Sequence, residues 1–66
     1  MAELEKLEIN TKQNIQYCND VIRKIESDYK KGFTTEREYL NDLNNFKGRL
    51  WAYNDLLQLI NNLKTK

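Results

Sequence analysis

Sixty-six residues allow one small domain, spanning 1–66, and a chain this short hides only about 60% of the surface that its unfolded form exposes. Eleven basic and ten acidic side chains, spread along the whole chain, leave a formal charge of +1, so no long-range field selects a polyanion or an anionic membrane. Histidine is absent and Cys18 is the only cysteine, which removes a disulfide framework and the usual zinc ligand sets and leaves self-association or a partner to complete the core.

Taken in order, Met1 to Ile9 alternates Glu and Leu where a signal peptide would need a basic segment and an apolar run. From Glu3 to Lys31 there is neither proline nor glycine, so a helix of roughly 28 residues, about 42 Å long, is permitted. Leu4, Leu7, Thr11, Ile15, Cys18, Ile22, Ile25 and Tyr29 recur at steps of three and four, with Val21 widening the stripe, which is the spacing of a helix buried on one side. Glu3, Glu5 and Glu8 sit near the positive end of the helix dipole, and Lys30 and Lys31 near the negative end. Ile9 points off the stripe, and Asn10 with Thr11 offers a later cap, so fraying of the first two turns is expected. Cys18, on the stripe, is expected to act as a small buried hydrophobe.

Lys30, Lys31 and Gly32 then read as a helix end, with glycine taking the left-handed backbone that closes the last turn. Thr35 opens the next helix: its hydroxyl is placed to accept from the Glu38 N–H while the Glu38 carboxylate reaches back to the Thr35 N–H. Phe33 is expected to fold over the turn end of the core. Tyr39, Leu43, Phe46, Leu50, Tyr53, Leu57 and Ile60 alternate steps of four and three, a coiled-coil-like seam. Facing the first helix in antiparallel register, Tyr39 and Leu43 should meet Ile25 and Tyr29. Leu57 and Ile60 should meet Leu4 and Leu7, with the acidic start of one helix beside Lys64 and Lys66 of the other. The predicted fold is all-α, an antiparallel two-helix hairpin with helices at about 3–31 and 35–64 that dimerises into a four-helix bundle.

The second helix carries more apolar residues than one seam uses. Ala52, Leu56, Leu59 and Leu63 form a separate stripe, continued towards the turn by Asn45 and Gly48, while Leu40 and Trp51 occupy a third direction. A mid-helix glycine costs ~1 kcal/mol relative to alanine, and close approach by another helix would give Gly48 a reason. Left in water, such a stripe marks an interface, and Trp51 is the large aromatic best suited to anchor a foreign partner. The candidate partner-binding residues are therefore Gly48, Trp51, Ala52, Leu56, Leu59 and Leu63.

No catalytic constellation assembles. The usual neutral-pH base is missing, and Cys18 has no histidine to activate it. Glu36, Glu38 and Asp42 cluster at a helix start, where they offset the dipole. Gly32 and Gly48 lie in no phosphate-cradling loop. No metal site and no cofactor are expected. Lys12, Arg23, Lys24, Lys47 and Arg49 are interrupted by Asp20, Glu26 and Asp55, so nucleic acid is an unlikely partner. No stretch approaches the ~20 apolar residues of a membrane span, since Leu50 to Leu63 is broken by Asn54, Asp55, Gln58, Asn61 and Asn62. A cytoplasmic protein is expected.

In length and topology the chain resembles the Rop type of plasmid RNA-binding hairpin, which implies a homodimeric four-helix bundle that binds paired RNA loops. The spacing of Gly32, Phe33, Thr34, Thr35, Glu38 and Tyr39 is similar to the turn of small bacterial helical-hairpin modules, a pattern that capping physics alone also produces. The expected role is a non-enzymatic protein-binding module, a small regulator or inhibitor of the kind that phages and mobile elements encode, docking on a host protein or on a second copy of itself. A Rop-like RNA binder and a purely structural coiled-coil subunit are the alternatives.

Overall fold

The computed structural model describes residues 2–65. Two helices, α1 (Glu3–Lys30) and α2 (Glu36–Lys64), lie side by side in an antiparallel hairpin measuring 48 × 17 × 13 Å, with no strand among the described residues. The observed bounds fall within one residue of those expected from capping.

The turn follows from three backbone hydrogen bonds. The N–H groups of Lys31, Gly32 and Phe33 donate to the carbonyls of Ser27, Tyr29 and Asp28 at 3.1, 3.0 and 2.9 Å. The last two make a complete Schellman closure, which requires the left-handed backbone that Gly32 supplies at φ +79°. Such a closure normally seats an apolar side chain against the last turn, but the residues available there are Asp28 and Ser27. Phe33 accordingly does not fold over the core as expected; it stands in solvent, 73% exposed. At the start of α2, the Thr35 hydroxyl accepts from the Glu38 N–H at 3.2 Å. The Glu38 carboxylate accepts from that same hydroxyl at 3.0 Å instead of from the Thr35 N–H, so the expected reciprocal box is half formed.

α1 runs unbroken from Glu3, and its N-terminus has no side-chain cap. The later cap considered at Asn10 and Thr11 does not occur. Thr11 is buried and its hydroxyl donates to the Leu7 carbonyl one turn back at 2.7 Å, which satisfies it without ending the helix.

The seam holds Thr11 and Cys18 from α1 and Leu43 and Ile60 from α2 as its buried residues. Cys18 is thus a buried free thiol, as its place on the stripe implied. Three pairs fix the register. Near the turn Tyr29 stacks on Tyr39 with ring centroids 4.1 Å apart. Midway Tyr17 meets Phe46 edge-on at 6.4 Å. At the open end the Lys64 ammonium donates to the Glu8 carboxylate at 3.0 Å. The last contact places an acid from the start of α1 against the basic end of α2; Lys66, expected beside it, lies outside the described residues. Leu7, assigned to the seam from its spacing, is 42% exposed instead, while the neighbouring Glu8 side chain, held by Lys64, is 15% exposed.

Candidate functional site

The two helices differ in how they distribute apolar side chains. Those of α1 gather on one side, whereas those of α2 are spread round the axis, so α1 shelters only part of them. Trp51 is 73% exposed, Leu59 55% and Leu63 49%. Leu56 is half-buried, and Gly48 and Ala52 are exposed.

At 100° per residue, Ala52, Leu56, Leu59 and Leu63 fall within about 60° of one another, and Gly48 lies about 20° beyond Leu59. Trp51 is turned about 80° from Leu59, on the same side as Gly48 and about 60° beyond it, towards Leu40. The six candidate residues therefore do not make one surface. Four form a stripe, Gly48 edges it, and Trp51 stands apart. A methyl group built at Gly48 would meet nothing within 4 Å, so no close helix approach inside this hairpin accounts for that glycine.

The stripe is extended by α1. Tyr17 reaches the edge of the Phe46 ring, and the Arg49 guanidinium lies over the same ring at 5.0 Å, which marks the side of the hairpin that these three share. Arg49 is within about 40° of Leu56 and Leu63, and on α1 Val21 lies about 40° from both Tyr17 and Leu7 and joins them on one side. One broad face thus combines Leu7, Tyr17 and Val21 with Ala52, Leu56, Leu59 and Leu63. Leu7 and Tyr17 were not recognised as surface residues from the sequence. Leu7 fits the seam spacing, and nothing in its own periodicity marks it as exposed.

The Glu8 carboxyl is held below its ordinary value, chiefly by the hydrogen bond from Lys64; desolvation opposes this next, and the charges of Lys64 and then Lys12 add to the lowering. Glu36 and Glu38 flank the start of α2, and one oxygen of the Glu38 carboxylate accepts from the Thr35 hydroxyl, leaving the other free to face outward. Among the described residues no three His, Cys, Asp or Glu side chains come together in a way that could hold a metal ion. A hollow lined by Arg23, Glu26, Ser27, Lys30 and Lys31 is open to solvent and belongs to α1 and the turn alone. No helix among the described residues is long and apolar enough to cross a membrane.

Compared with known proteins, the chain matches no family model, no curated protein and no solved structure.

Proposed function

We propose that this chain is a non-enzymatic protein-binding module that works by laying its two-helix apolar face on another helical surface. The hairpin is then one layer of a four-helix arrangement, and the second layer is supplied by a copy of itself or by a foreign protein that it regulates by occupancy. The observation that carries this is the joint exposure of Leu59 and Leu63 beside Leu7 on one side of a thin molecule. Contiguous apolar surface of this kind is costly to leave in water and marks association sites. Each leucine that becomes fully covered contributes about 1.5–3 kcal/mol, enough for a few of them to rival the whole stability of a small domain.

The test is chemical crosslinking in the native host with tagged wild type beside Leu59→Asp and Trp51→Ala. The wild type should give a discrete adduct, with itself or with one other polypeptide, that Leu59→Asp loses. Trp51→Ala separates the two surfaces, because it should leave adducts made through the leucine face intact. Absence of any adduct that depends on Leu59 would remove the proposal.

A further inference from the structure

On the proposed reading of this face as a docking surface, we infer that its occupant is a second copy of the chain, packed face to face with both turns at the same end, so that α1 of each hairpin lies along α2 of its partner.

Area is the first reason. The chain has a mass of 8.0 kDa and exposes 5206 Å². A compact monomer of that mass exposes about 4,450 Å² by the usual surface scaling, so this hairpin shows roughly 750 Å² too much. A standard interface covers about 800 Å² on each partner. One layer of the same size is what the molecule lacks.

The second reason concerns when that layer must be present. Among the described residues the buried apolar side chains are Cys18, Leu43 and Ile60, a core too thin to support a 66-residue fold by itself. Folding and covering of the face are therefore linked, and a polypeptide that is present wherever the chain is made is the chain itself.

Charge then selects the orientation. In the turn half of the face, α1 presents Lys24 and Lys31 while α2 presents Glu38 and Asp42, all exposed. Two arrangements bring the faces together. Turning a copy about the long axis keeps every level and sets α1 against α2, so Lys31 meets Glu38 and Lys24 meets Asp42 of the other copy. Turning it end over end sets α1 against α1 and α2 against α2 with the levels reversed, so the charged turn half of one copy lies on the apolar open half of the other. Asp28 and Arg49 run against this pattern, but Asp28 is half-buried and Arg49 is engaged with the Phe46 ring. The same choice suits the apolar half. The register set by the Tyr29–Tyr39, Tyr17–Phe46 and Glu8–Lys64 contacts puts Tyr17 in the middle of the hairpin beside Phe46, and Leu7 near the level of Leu59 and Leu63. End-over-end packing would lay these leucines on the charged turn half unless the copies slid apart and lost half their overlap.

Light scattering and sedimentation on the full chain should give twice 8.0 kDa. Leu59→Asp and, on the other helix, Tyr17→Arg should each shift that mass towards the monomer. Lys24→Asp and Asp42→Lys should each weaken the dimer several-fold, and mixing the two variants should restore it, because a mixed pair regains opposite charges at both contacts. Spin labels on Phe33→Cys, with Cys18 left as the buried thiol, should lie about 30 Å apart or less across a bundle of helices spaced ~10 Å. A folded monomer overturns this inference while leaving docking on a foreign protein standing. A dimer indifferent to both Leu59→Asp and Tyr17→Arg overturns this inference and removes the face itself. Labels at least the 48 Å length of the hairpin apart, or Lys24→Asp strengthening the dimer, overturn the orientation.

Discussion

The two glycines serve opposite purposes, and a methyl group added to each should move stability in opposite directions. Gly32 holds φ +79°, where an L side chain is strained, so Gly32→Ala should destabilise the hairpin by about 1–2 kcal/mol. Gly48 lies inside α2 with open space where a Cβ would go, and Gly48→Ala should stabilise it by up to ~1 kcal/mol. Urea midpoints of the two variants beside wild type check both signs. Position within the pattern made Gly32 readable: two lysines before it and a capping threonine after it allow little else. Gly48 is not readable in the same way, since a glycine in mid-helix fits an open surface as well as the approach of a partner helix. Phe33 shows a further limit at this scale. An apolar residue after a helix end needs something apolar to rest on, and Asp28 and Ser27 provide nothing.

Each helix has its own source of definition. α1 starts without a side-chain cap and ends in a Schellman closure, while α2 starts on Thr35. Removing the cap with Thr35→Ala should cost about 1 kcal/mol, and it should do so without altering the apolar face, so any dimer mass is kept while the urea midpoint falls. The seam of α2 was legible because four-three alternation over about six turns admits one reading. The flank was not, because spacing alone cannot rank neighbouring directions on a rod. Leu7 fits the α1 stripe by spacing, yet it is 42% exposed, while the side chain of Glu8, held by Lys64 of the other helix, is 15% exposed.

At the scale of the molecule, the open end is held by the Glu8–Lys64 contact, in which the Glu8 side chain is 15% exposed. Its carboxyl, ordinarily near 4.5, is depressed in the folded chain. The sign follows from linkage: the contribution is fully present above pH ~4.5 and is lost as pH falls through the lower, folded value. The urea midpoint of the wild type should therefore drop on acidification through that window more steeply than that of Glu8→Gln, which has no proton to gain. The hairpin itself could be read from its caps and periodicity. That its exposed face draws on both helices could not, because the pairing of Tyr17 with Phe46 and Arg49 is a property of the register and of no single segment.

The burial of Cys18 gives the molecule a built-in clock. At 2% exposure its sulfur is sealed between the rods, so a thiol reagent such as a disulfide dye can react only in molecules whose helices have parted. The rate of colour development, followed without any mutation, then reports how often the seam breathes. If two chains brace one another, diluting the sample should quicken the reaction; a hairpin that stands alone would react at a pace independent of dilution.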